Sequence, residues 1–145
     1  MTIGTPESFA ADVLAFAEKA KVSVLAVVIE TIRLINLEIM VLWPVVTGFS
    51  RASWFAVING TPAGAPGTGN AYQLELVAGR LQIGQTYVAA NSAAYALRLE
   101  NGFVGTDSLG RSYNQSGRFI VRGVLVRAPF FAEQAAQKVA ARNGV

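Results

Sequence analysis

The chain contains no cysteine and no histidine. These two absences remove disulfides, thiolate nucleophiles, ordinary zinc sites and imidazole general bases together. Charge is scarce too. Asp, Glu, Lys and Arg make up 14% of the 145 residues, where an average domain carries about 25%. Carboxylates, Lys, Tyr and Ser remain for catalysis, but no two of them form a convincing acid–base pair. Tyr95 and Glu100 are five residues apart on a short helix and share no face. Ser53, between Ala52 and Trp54, has no base within reach. The chain therefore reads as a non-enzyme, with no cofactor and no metal.

What is abundant is apolar: 52% of the residues are hydrophobic. By length this is one domain, 1–145, large enough to bury a core. Its few polar side chains are too few to cover an isolated monomer. Some apolar surface is expected to meet a partner or another copy, because large exposed apolar patches are rare on monomers. The charges are also unevenly placed. Residues 1–40 carry Glu7, Asp12, Glu18, Glu30 and Glu38 against Lys19, Lys21 and Arg33. Residues 111–145 carry Arg111, Arg118, Arg122, Arg127, Lys138 and Arg142 against Glu133 alone. This asymmetry suits head-to-tail complementarity between subunits, or a basic surface facing nucleic acid.

Neither Gly nor Pro occurs between Glu7 and Trp43. Thr5-Pro6-Glu7-Ser8 is a good helix start, so a helix over about 6–43 is expected, roughly 50 Å long. Val13, Ala17, Ala20, Val24, Val28, Ile32, Ile35, Ile39 and Leu42 form an apolar strip. Asp12, Lys19, Ser23, Glu30 and Arg33 gather opposite it. The second half is apolar almost all round, as in a helix buried on several sides. Residues 22–43 are long enough for a membrane anchor. Against that, Glu30, Arg33 and Glu38 would each cost about 2.5–3.5 kcal/mol near the bilayer centre. The start also lacks the basic region and cleavage site of a signal peptide.

Pro44 ends the helix, Thr47-Gly48 turns the chain, and Ser53–Ile58 reads as a strand. Residues 59–70 form a flexible Gly/Pro-rich loop; no Gly-Lys-Ser/Thr follows to make it a phosphate cradle. A helix from Ala71 to about Gln82 and a strand over Gln85–Ala90, reaching Asn91, come next. A short helix then carries Tyr95, Leu99 and Glu100 and closes at Gly102. Residues 103–117 read as a second polar loop. Arg118 to Arg127 is β-branched and reads as a strand with Gly123 as a bulge, placing Arg118 and Arg122 on one face. A final helix over about 129–142 turns Phe130, Phe131, Ala135 and Val139 inward, and Asn143-Gly144 ends it. The expected class is α+β: a long N-terminal and a C-terminal helix packed on a small, mostly antiparallel sheet, with a sheet-and-helix body over 50–127.

Two segments stand out. Pro44-x-x-Thr47-Gly48-x-x-Arg51-x-Ser53-Trp54 is followed about 40 residues later by Asn91-x-x-x-Tyr95-Ala96-x-x-x-Glu100-x-Gly102. Together they resemble a family of neck proteins of long-tailed bacteriophages, the small head-to-tail joining or tail-completion proteins. Val46 stands where members often carry an acid. The resemblance implies a virion protein made in the host cytoplasm and forming a homo-oligomeric, hexameric ring around the DNA channel. Its neighbours would be connector, terminator or tail-tube proteins, with no membrane partner. Within that frame Trp43, Trp54, Tyr95 and Glu100 are candidate subunit-interface residues. Arg118, Arg122 and Arg127 are candidates for non-specific contact with packaged duplex DNA or an acidic partner surface. No helix-turn-helix or RNA-binding signature accompanies these arginines. The alternatives are a tail terminator capping the tail tube and a small membrane-associated protein anchored by residues 22–43.

Overall fold

The computed structural model describes residues 6–44 and 48–142. The expected cap at Thr5, the Thr47 half of the turn and the stop at Asn143-Gly144 lie outside them. The class is α+β. Helix α1 spans Pro6–Leu42, and a 3-10 turn at Arg51–Ser53 leads into β1, Trp54–Ile58. Then come α2 (Ala71–Gly79), β2 (Tyr87–Asn91) and α3 (Ala96–Asn101). Strands β3 (Gly102–Thr106) and β4 (Ser112–Ser116) precede α4 (Ile120–Val126) and α5 (Ala128–Arg142).

The absence of breakers lets α1 run for 37 residues. Only its second half is packed. Ile39, Met40 and Trp43 join Trp54, Leu74, Ala93, Ala96, Ile120, Val124 and Phe131 in one core. From Glu7 to Val22 every side chain described is exposed. Helix α5 lies along the packed half. Arg127 meets Glu38 while Lys138 and Arg142 reach Glu30, so α5 runs antiparallel to α1. The expected packing on the sheet is met in part: Ile39 and Met40 of α1 share the core with Trp54 of β1, and Asn36 bonds the Tyr87 hydroxyl of β2. The terminal helices cover each other, and β1 and β2 meet α2.

The single small sheet becomes two separate antiparallel pairs. In β1–β2, Trp54 faces Asn91 and Ile58 faces Tyr87. Helix α2 starts where the Asn70 side chain accepts the Gln73 N–H at 3.0 Å, a side-chain cap. The 59–70 loop is tied down, contrary to the flexible loop expected. Gly67 N–H donates to Ser53 Oγ, and Gly69 N–H to the Ala52 carbonyl. A Cβ on Gly69 would sit 2.5 Å from the Trp54 carbonyl oxygen, so only glycine fits there.

Two further expectations fail in the second half. Residues 103–117 are a hairpin, with Gly102 opposite Ser116 and Thr106 opposite Ser112. Asp107 builds its turn. One carboxylate oxygen accepts the Leu109 and Arg111 N–H groups, and the other accepts from Arg111 Nε and the Tyr113 hydroxyl. The Arg111 backbone bond, helped by these other donors and opposed by partial desolvation, holds Asp107 below its ordinary value of 3.8. The folded value lies under the unfolded one, so the turn is stabilised above pH 3.8 and loses that support as pH falls through the lower folded value. An NMR titration of the Arg111 amide is expected to show a midpoint below 3.8, absent in Asp107→Ala. A midpoint at or above 3.8 would contradict the bonding described.

The second failure is the expected strand over 118–127, where the chain forms α4 instead. Ile120 and Val124 are one helical turn apart and both buried, which sets the face that docks on the core. Gly123 therefore sits inside a helix and makes no bulge. Glu30, expected on the solvent side of α1, is buried beneath Arg33, Lys138 and Arg142. Phe131, Ala135 and Val139 do face inward, whereas Phe130 is exposed.

Candidate functional site

The end of α1, the start of β1 and the pair α3–α4 enclose an open groove of about 650 Å³. Trp43, Trp54 and Ala96 are its buried lining residues; Leu97, Leu125 and Val126 are exposed along it. Glu100, Asn101, Asn91 and Arg122 supply its polar groups. Ligand sites are characteristically concave and mostly apolar, with a few placed polar atoms.

The two tryptophans are held firmly. Their rings meet edge to face at 5.2 Å and 78°, and Trp43 Nε1 donates to Ser50 Oγ at 2.7 Å. Asn91 Nδ2 in turn donates to the Ser50 carbonyl, tying the end of β2 to the same corner. Arg51 donates to the Met40 carbonyl and anchors the 3-10 turn on α1. Trp54 Nε1 differs: it is buried and has no acceptor among the described residues. Such orphans are rare.

Glu100 determines where the α4 wall stands. Its two carboxylate oxygens accept the N–H groups of Val121 and Arg122 at 3.0 and 2.9 Å. Phe119, the residue before α4, is left-handed (φ 49°) and offers no side-chain cap, so a carboxylate from α3 does that work. Gly102 (φ 84°) closes α3. A Cβ there would come within 2.6 Å of the Gln115 carbonyl oxygen.

Of the candidate interface residues, Trp43 and Trp54 lie in the chain's own core, where each is less than a tenth exposed. Tyr95 precedes α3 instead of riding on it; it is exposed and stacks on Phe49 at 6.3 Å. Glu100 serves the backbone N–H groups at the start of α4. The arginines do not form one strand face. Arg118 precedes α4, Arg122 lies within it and Arg127 follows it. Arg127 pairs with Glu38 at 3.1 Å. Arg122 stacks over Phe119 and touches Asn101. Neither Arg118 nor Arg122 has an ion pair among the described residues. Of the two, Arg122 lines the groove beside Glu100, whereas Arg118 borders a separate hollow with Leu42, Phe119 and Arg127.

Elsewhere, Tyr87 joins α2 to α1. Its hydroxyl accepts from Asn36 and donates to the Leu74 carbonyl. Burial raises its phenol above the ordinary value, and the Asn36 bond partly offsets this. Among the described residues no cluster of three acidic ligands suited to a metal ion occurs, and no helix is long and apolar enough to cross a membrane. The groove was not visible in sequence, because its lining comes from segments up to 83 residues apart (Trp43 to Val126). No family model, no curated protein and no solved structure matches this chain.

Proposed function

We propose that this chain is a structural protein of a tailed-bacteriophage neck, assembling as a ring that joins head to tail around the DNA channel. The observation that carries the self-associating part is the apolar surface. Among the described residues, twenty large hydrophobic side chains stay exposed, including Val13, Leu14, Val22 and Val24 on α1 and Leu97, Leu125 and Val126 at the groove. Apolar surface on this scale, rimmed by charge, is a mark of protein–protein contact. The neck assignment rests on the Pro44–Trp54 and Asn91–Gly102 segments and their resemblance to head-to-tail joining proteins. The described parts of those segments, 48–54 and 91–102, lie at the corner around Trp43 and Trp54 and along the α3 wall. The activity is binding: a symmetric interface closes so that a filled head and a tail unite.

Disrupting the gene in the encoding phage tests this. Filled heads and finished tails that accumulate separately, and join when purified protein is added, are the expected result. Tails of uncontrolled length would move the chain to the tail terminus. Intact virions lacking the protein would refute a structural role.

A further inference from the structure

We infer that the hollow between the end of α1 and α4 binds an amphipathic monoanion, a single carboxylate or phosphodiester group carried on an apolar body. The site lies on the face of α4 opposite the groove and does not depend on the neck reading.

Three observations carry it. First, the hollow holds about 430 Å³, the size of a small-ligand site. Ile120, Gly123, Val124 and Arg127 line it at the three- and four-residue steps of one helix face. Leu42 and Phe119, 46% and 43% exposed, complete its apolar walls. Second, its charge is not cancelled. Arg118 and Arg127 line the hollow and no acid does. Arg118 has no ion pair among the described residues, and Glu38 pairs with one terminal nitrogen of Arg127 at 3.1 Å. Two guanidiniums less one carboxylate leave a single positive charge, which selects a monoanion. The planar fork of arginine matches carboxylate and phosphate oxygens. Third, the backbone is specialised at this place. Phe119 is left-handed, at φ 49°, and residues held in such conformations cluster at ligand sites. Gly123 contributes no side chain to the lining, and a Cβ there would meet nothing within 4 Å. The space beside it is open because the residue is glycine.

Octanoate and dibutyl phosphate present the two heads on apolar bodies. Titrated into the isotope-labelled chain, at least one is expected to shift the Gly123 and Val124 amides with a dissociation constant of about 1 mM or tighter. The tighter of the two names the head. Arg118→Gln removes an exposed side chain that has no ion pair to lose, and should weaken binding about tenfold, the worth of one charge-assisted bond. Gly123→Leu should abolish the shifts by filling the lining while keeping or raising the thermal midpoint, because leucine favours helix. No shift with either probe at about 10 mM, tenfold above that constant, overturns the inference. So does binding that Arg118→Gln leaves unchanged. Octyltrimethylammonium acting as strongly as octanoate, or acetate binding as tightly, overturns it too, because then charge or apolar body would not matter. A short DNA duplex that binds through Arg118 where both amphipaths fail gives this arginine to nucleic acid instead.

Discussion

Trp43→Ala is expected to cost about 3–5 kcal/mol of folding stability, the usual range for deleting a buried tryptophan. Trp43 is 3% exposed and closes the corner where α1 ends. Three losses combine. Its packing against Ile39, Trp54 and their neighbours disappears. The edge-to-face contact with Trp54 goes, worth roughly 0.5–1.5 kcal/mol beyond area burial. Ser50, itself buried, loses the indole donor that its hydroxyl accepts. Against an unfolding free energy of about 5–15 kcal/mol for a typical domain, this change removes a large share. Urea unfolding followed by circular dichroism measures it, with an unchanged m-value as the control. Trp43→Phe keeps most of the packing and should cost about 1–3 kcal/mol, from the unmade hydrogen bond and lost volume. A loss under 1 kcal/mol for the alanine variant would mean that the corner is not part of the cooperative core.

Glu100→Ala should cost on the order of 2–3 kcal/mol, concentrated in α4. Helix α4 has seven residues and no local cap, so it is too short to be stable alone. Its first N–H groups depend on two charge-assisted bonds to Glu100, and hydrogen bonds to charged groups contribute about 1.5–3 kcal/mol each when buried. Glu100 is only partly buried, which reduces the sum. Left-handed Phe119 adds local strain that the Glu100 contacts hold in place. Glu100→Gln keeps an acceptor and should lose about half as much. Amide exchange should accelerate at Val121, Arg122 and their helix neighbours, with little change in β1–β2. Because α4 carries Arg122, Leu125 and Val126, the same variant should weaken self-association. Equal protection of α4 in the variant and the parent would show that the core face, Ile120 and Val124, holds the helix unaided.

The first hundred residues were largely legible in sequence. An unbroken run without Gly or Pro leaves α1 little alternative, and the apolar residues after Ala71 announce α2. Strand β1 reads from Trp54–Ile58, with its start displaced because Ser53 serves the 3-10 turn and the 59–70 loop. Two of the misreadings, α4 and Glu30, share a physical cause: support comes from residues distant in sequence. Ile120, Val121, Val124 and Val126 have strand propensity, but Glu100, some twenty residues upstream, caps them as a helix. The local hint was the four-residue step between Ile120 and Val124, outweighed by composition. Strands β3 and β4 are rich in Gly, Ser and Asn because much of the hairpin faces water. Asp107 and Gly110 were the available turn signal, and Phe103 against Tyr113 is the ring contact that joins the strands. Glu30 was misplaced because its three cations stand on α1 itself and on α5, more than a hundred residues later.

That last pairing has a consequence for synthesis. Helix α1 ends at residue 42 and α5 begins at 128. At ribosomal speeds of 5–20 residues per second, roughly 4–17 s separate the emergence of α1 from that of the helix that covers it. Throughout that interval the apolar face around Ile35 and Ile39 lacks its α5 cover, and Glu30 lacks Lys138 and Arg142. The growing chain is therefore expected to engage ribosome-associated chaperones over this window, and to aggregate when they are depleted.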